Sequence, residues 1–220
     1  CGVIDRKNED SNAGQQTGKR RKAQADGWCR KERRNMTKIK LCGLSEFCDI
    51  EAANILKPEY IGFVFAKNSR RYVSPEDAWT LKKRLSSEIK AVGVFVREDA
   101  EDIAGLLERG VIDMAQLHGG EDETYIRRLR ELTGKPLIKA FRVETAGDIA
   151  AAEICSADHV LLDSGEGGTG SAFDWGLLGQ MKRRYFLAGG LTPENVQRAV
   201  RELHPYGVDV SSGIETDGKK

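Results

Sequence analysis

Two side chains suited to proton transfer stand at the ends of short apolar runs. Cys42 closes the run Lys38–Cys42, and Asp163 follows His159–Leu162. A free thiol titrates near about 8.5, and a positive environment brings it toward neutrality, where its thiolate can take a proton from carbon. Enclosure raises a carboxyl, so an aspartic acid in a pocket can give a proton up. Each also has an ordinary explanation, a small buried side chain for Cys42 and a turn cap for Asp163. The turns that follow other apolar runs add a second kind of chemistry. Ala188-Gly189-Gly190-Leu191 leads into Thr192-Pro193, and Val210-Ser211-Ser212-Gly213 follows the last run. Backbone N–H groups in such turns, with the serine hydroxyls, suit a phosphate.

Further polar residues sit at equivalent places. Ser69-Arg70-Arg71-Tyr72 offers guanidinium forks for a carboxylate, and charge alone does not rank the two arginines. Gln116 and His118 end the fourth run, with His118 read either as a base or as a residue that orients its loop. Asp209 lies on the last run, placed to orient loops or to pair with a lysine. The loop 165–170, with Gly168 at its centre, is glycine-rich enough to fold over a ligand or donate N–H groups. His159 and His204 fall away from these turns. Three scattered histidines with no carboxylate cluster are not expected to hold a metal.

These residues need a scaffold, and the hydropathy supplies one. Strands are expected at Lys38–Cys42, Tyr60–Phe65, Ala91–Val96, Met114–Leu117, Leu137–Ala140, His159–Leu162, Tyr185–Ala188 and Gly207–Val210. Several are apolar at successive positions, the mark of strands buried on both faces. Helical spacing predicts Ser45–Leu56, Pro75–Leu85, Asp99–Glu108, Asp122–Leu132, Thr145–Cys155, a short Phe173–Met181, and a helix opened by Thr192-Pro193 and ending near Leu203. Ser74 and Thr145 are placed as N-caps. Eight strands alternating with helices predict an α/β fold, the (β/α)8 TIM barrel, more readily than a doubly wound sheet. No GxGxxG turn follows the first strand. The chemistry of such a barrel sits at the C-terminal ends of its strands, with phosphates held near the seventh and eighth. Ten residues follow Val210, so the final helix is expected to be missing and one flank of the sheet uncovered.

Composition closes off other classes. The chain has 220 residues, 40% hydrophobic and 31% charged, with net charge +1. Residues 1–35 hold ten Lys/Arg against five Asp/Glu, leaving 25 against 29 in the remainder. Residues 1–36 are therefore expected to be a disordered basic leader and residues 37–220 the catalytic barrel. A mildly acidic body with one aromatic in its leader, Trp28, argues against nucleic-acid binding. The five cysteines are irregularly spaced with no CxxC pair, so neither zinc nor a disulfide framework is expected, and a cytoplasmic location is. No apolar run approaches the roughly 20 residues of a membrane helix.

Taken in order, the motifs resemble the phosphoribosylanthranilate isomerases of tryptophan biosynthesis. The resemblance rests on Lys40-Leu41-Cys42-Gly43-Leu44, Gly62-Phe63-Val64-Phe65, Ser69-Arg70-Arg71-Tyr72-Val73-Ser74-Pro75 and Gly93-Val94-Phe95-Val96. It continues through Gln116-Leu117-His118-Gly119, Leu162-Asp163-Ser164, Gly167-Gly168-Thr169-Gly170, Phe173-Asp174-Trp175, Leu187-Ala188-Gly189-Gly190-Leu191 and Val208-Asp209-Val210-Ser211-Ser212-Gly213-Ile214-Glu215. It implies an Amadori rearrangement of N-(5-phosphoribosyl)anthranilate with no metal or organic cofactor. Cys42 is then the general base at ribose C2, Asp163 the general acid at the ring oxygen, and Arg71 the partner of the anthranilate carboxylate. Gln116, His118, Gly168 and Asp209 complete the substrate contacts, and Gly189, Gly190, Ser211, Ser212 and Gly213 grip the phosphate. The expected partner is the phosphorylated sugar–anthranilate substrate alone, without membrane or nucleic acid. The sequence leaves open a monomer, an association or a fusion with neighbouring tryptophan-pathway enzymes. Two other readings compete. A related aminoimidazole carboxamide ribotide isomerase would use carboxylates for both proton transfers, against which Cys42 speaks. A non-catalytic nucleic-acid or interaction protein would bind through the basic leader.

Overall fold

The computed structural model describes residues 36–163, 175–179 and 181–215. Their apolar runs become eight parallel strands: β1 (Lys38–Cys42), β2 (Tyr60–Val64), β3 (Lys90–Phe95), β4 (Met114–Leu117), β5 (Leu137–Arg142), β6 (His159–Asp163), β7 (Tyr185–Ala188) and β8 (Gly207–Val210). Each pairs with the next, and β8 returns to β1, so the sheet closes on itself and has no open edge. Between the strands run α1 (Phe47–Leu56), α2 (Pro75–Lys82), α3 (Ala100–Glu108), α4 (Glu123–Leu132), α5 (Ala146–Ile154), α6 (Trp175–Leu178) and α7 (Val196–Leu203). Among the described residues β8 is followed by one 3-10 turn, Ser212–Ile214.

Caps set the helix starts. Ser74 accepts from Asp77 N–H at the head of α2, with Pro75 in the first turn. Thr145 and Asp148 satisfy each other's backbone in a capping box before α5. The helix expected from Thr192-Pro193 begins later, at Val196. The Asn195 side chain accepts from Thr192 N–H at 2.9 Å and donates to the Gly190 carbonyl at 2.8 Å, closing a turn ahead of the helix. His204 ends that helix with φ 46°. Strand β6 runs one residue further than expected, because Asp163 pairs with Arg142 and Ala188 on its two neighbours.

Alternation along each strand sorts side chains into two cores. Outward residues such as Ile61, Phe63, Leu117, Leu137 and Leu187 pack under Ile50, Ile103, Ile126, Leu129 and Ile149 from the helices. Burying each contributes about 1.5–3 kcal/mol. Inside the barrel, Val92, Met114, Ile138, Leu161 and Phe186 fill the centre. The floor, at the N-terminal ends of the strands, is aromatic. Tyr60 and Tyr206 meet Phe186 edge-on, at centroid distances of 5.4 and 5.1 Å. His159 stacks on Tyr206 at 5.5 Å. The Tyr60 and Tyr206 hydroxyls share a hydrogen bond of 3.1 Å. Burial holds the His159 imidazole below its ordinary pKa, against a weaker upward pull from Asp158.

Candidate active site

At the opposite end the strands open into a cavity of about 350 Å³. Its wall brings together Cys42, Arg71, Gln116, His118, Asp163, Gly189, Gly190, Asp209, Ser211 and Ser212. Ten expected site residues, drawn from β1, β4, β6 and β8 and from the turns after β2, β4, β7 and β8, thus face one space. Gly213 adjoins it in the turn after β8. Gly168, with the rest of loop 165–170, lies outside the described residues.

Register explains how the base candidate is held. Cys42 is the register partner of Gly62 on β2, and Lys40 that of Asp209 on β8. Alternation turns Lys40 and Cys42 to the same inner face. Gly62 has no side chain to spare: a Cβ there would lie 2.7 Å from the Cys42 sulfur and 3.2 Å from Lys40 Nζ. Lys40 donates to both Asp209 oxygens, at 2.9 and 3.0 Å, wholly out of solvent. The Ser211 hydroxyl donates to the Cys42 carbonyl at 3.2 Å, tying the turn after β8 to β1.

Across the cavity, His118 Nε2 lies 3.5 Å from Asp163 Oδ2. The other ring nitrogen of His118 meets the Gln116 amide at 2.8 Å. Gln116 is 1% exposed, and its Oε1 has no protein partner among the described residues. An amide buried at a cavity wall with an idle acceptor suits a ligand hydroxyl. The turn carrying His118 is braced from outside the barrel: Glu121 accepts from Gly119 N–H and Arg97 N–H at 2.8 Å each, and from Lys139 Nζ at 3.1 Å.

The two arginines separate in space. Arg70 projects outward, its side chain 61% exposed, and pairs with Glu215. Arg71 lines the cavity, its stem lying across Gly43 beside Cys42. Arg71 Nε donates to Glu215 Oε1 at 2.5 Å, which fixes the plane of the guanidinium and leaves its outer edge for an anion. Facing it across the cavity, Gly189 and Gly190 both take positive φ, 86° and 58°, a left-handed pair open to glycine at no steric cost. The N–H groups of Gly190, Ser212 and Gly213 meet no acceptor among the described residues. The arrangement offers a proton acceptor, a proton donor, a carboxylate fork and an anion nest in one enclosure, which suits a sugar phosphate bearing a second acidic group.

Sequence reasoning left three contributors unassigned. Lys40 is signalled by a lysine two residues before Cys42 on a strand, and so on the same face. Gly62 is signalled by a glycine inside an apolar strand. Glu215 carries no local signal, because its partners Arg70 and Arg71 lie about 145 residues away.

Among the described residues, no helix is long and apolar enough to cross a membrane, and no cluster of three or more metal-ligating side chains occurs. Comparison with known proteins gives a consistent result. Residues 39–220 match the family model described as N-(5′-phosphoribosyl)anthranilate (PRA) isomerase. A protein of Endomicrobium trichonymphae named N-(5′-phosphoribosyl)anthranilate isomerase is 46% identical over 189 residues, covering 84% of this chain and 92% of that relative. The crystal structure of phosphoribosyl anthranilate isomerase from Thermotoga maritima superposes with TM-score 0.75 at 36% identity, over 84% of this chain and 93% of that one. A phosphoribosyl anthranilate isomerase solved with reduced 1-(o-carboxyphenylamino)-1-deoxyribulose 5-phosphate gives TM-score 0.72 at 35% identity, over 84% and 92%.

Proposed function

The chain belongs to the N-(5′-phosphoribosyl)anthranilate isomerase family, and on that premise we propose that Cys42 and Asp163 carry out its proton transfers. The protein is an isomerase of tryptophan biosynthesis, and its substrate is a phosphorylated sugar joined to anthranilate. Asp163 donates its proton to the furanose ring oxygen as the C1–O bond breaks. The anilino nitrogen supplies the electron pair that leaves a C1=N iminium. The iminium acidifies the C2 proton, which the Cys42 thiolate removes. The C2–H pair then becomes the C1=C2 bond of an enolamine as the C1=N pair returns to nitrogen; protonation at C1 with loss of the C2 hydroxyl proton gives the ketone, 1-(2-carboxyphenylamino)-1-deoxyribulose 5-phosphate.

Binding roles follow from position. Arg71 takes the anthranilate carboxylate on its outer edge. Gly189, Gly190, Ser211, Ser212 and Gly213 hold the phosphate. Gln116 and His118 contact the sugar, and His118 also orients the acid across the 3.5 Å gap. Gly168 belongs to the same substrate contacts. Asp209, at the cavity wall and paired with Lys40, belongs to the substrate contacts. Anchoring both ends of the substrate supplies binding energy that holds C2 and the ring oxygen between base and acid. The barrel of residues 37–220 is the catalytic body and residues 1–36 its leader. The cytoplasm is the setting, in accord with the unbridged thiols of Cys42, Cys48 and Cys155.

One observation supports this most: Cys42 and Asp163, from non-adjacent strands, line the same cavity as the turns after β7 and β8. The test follows anthranilate fluorescence with fresh substrate. Cys42→Ala and Asp163→Asn should each lower kcat by about 10²–10⁴ while affinity for a reduced product analogue holds within severalfold. Wild-type turnover in Cys42→Ala would remove the base.

A further inference from the structure

The most deeply enclosed charge of the barrel interior has no part in the steps above. Lys40 is 0% exposed and is among the largest fully buried side chains. An ammonium in such a place is costly unless it is paired and hydrogen-bonded. The β1–β8 register supplies Asp209 as that pair, and the two carboxylate oxygens take two of the three donor directions. The third direction is left for Cys42, which interacts with the ammonium from the same inner face. The sulfur and the ammonium converge on the space above Gly62, which only a missing side chain leaves open.

Other charges around the sulfur do not substitute for Lys40. Arg71, in the segment after β2, has its Nε engaged by Glu215. His118 on the turn after β4 and Asp163 on β6 face one another. Asp209 on β8 opposes a thiolate, but its charge is offset by Lys40 itself. Burial pulls the Lys40 pKa down, yet the charges of Asp209 and then Cys42 outweigh it and hold the group above its ordinary value. Such coupling is mutual: an ammonium favoured by a neighbouring thiolate favours that thiolate in return.

We propose that Lys40, clamped by Asp209, is a positioning residue that keeps Cys42 ionised near neutral pH and aims its sulfur past Gly62 into the cavity. This rests on the assignment of Cys42 as base, and the test separates the two. A buried ion pair that serves only the fold can be replaced by apolar residues of similar size with little effect. The double variant Lys40→Met/Asp209→Leu removes both charges together and leaves no uncompensated partner, as the single variant Lys40→Met would.

The experiment measures alkylation of Cys42 by iodoacetamide against pH, read on its own peptide by mass spectrometry, beside pH profiles of kcat/KM. In the wild type the alkylation midpoint should fall well below the ordinary thiol value of about 8.5. In the double variant it should rise by about one to two pH units, lowering the thiolate fraction at pH 7 by roughly ten- to a hundredfold. The acid limb of kcat/KM should rise with it. A wild-type midpoint at or above the ordinary value overturns the proposal without any variant. So does an unchanged midpoint in a folded double variant. A midpoint that moves while the acid limb stays fixed upholds the coupling of Lys40 to Cys42 and instead removes Cys42 from the role of base.

Discussion

Replacing Gly62 by alanine tests whether the sulfur of Cys42 is held in place by a missing side chain. The new methyl carbon would stand 2.7 Å from Sγ and 3.1 Å from the Cys42 Cα. Gly62 cannot retreat. It is in register with Cys42 on one side and Val92 on the other, and its carbonyl takes both Gly43 N–H at 2.8 Å and Leu44 N–H at 3.1 Å. The sulfur is the softer partner, so it must shift by roughly 0.7 Å to reach ordinary contact, a misplacement large enough to cost about 10²-fold in turnover. Overpacking of this size costs about 2 kcal/mol, which lowers Tm by roughly 4–8 °C and leaves the protein folded at assay temperature. Anthranilate fluorescence gives kcat and KM, and circular dichroism gives Tm. The expected signature is a fall in kcat with KM within about threefold, since Arg71 and the phosphate turns are untouched. A folded Gly62→Ala enzyme with wild-type kcat would refute the reasoning, because the sulfur would then tolerate displacement.

Arg71→Ala should raise KM by about thirty- to a hundredfold through loss of charge-assisted hydrogen bonds, with a smaller change in kcat, measured by steady-state kinetics. Gly213→Ala drives a methyl into the Leu191 carbonyl, so the turns after β7 and β8 must part; inorganic phosphate, assayed as a competitive inhibitor, should lose about tenfold in affinity. Burial keeps the folded pKa of His159 below the ordinary 6.5, so the unfolded chain binds the proton first. Its contribution to stability is complete above about pH 6.5 and is lost as pH falls through the folded value. Urea midpoints at pH 7.5 and 5 should accordingly differ less in His159→Phe than in wild type, and an equal difference would count against the stacked, neutral imidazole.

Much of this was legible before any coordinates. β4 and β7, buried at every position, fall at their expected bounds, and so do β1 and β8, whose short apolar stretches are interrupted by Lys40 and Asp209. Cys42, Asp163 and the two glycine turns could be placed at the barrel mouth, because position along a parallel strand implies it. What escaped depends on contacts between distant segments. The late start of α7 comes from a side-chain turn at Asn195 that helix propensity does not encode. Arg70 and Arg71 are alike in charge, and only the fold turns one outward and the other into the cavity. Lys40 has no assigned role in the sequence, because only the β1–β8 register sets Asp209 beside it. Cys48 is exposed on α1, away from the core.

The aromatic floor has a kinetic corollary. With Tyr60, His159, Phe186 and Tyr206 stoppering the lower end, the reaction chamber is a cul-de-sac. The ketose leaves by the doorway the aldosylamine entered, and both carry the same phosphate through it. Substrate and product therefore compete for one entrance, and bound ketose bars the next arrival.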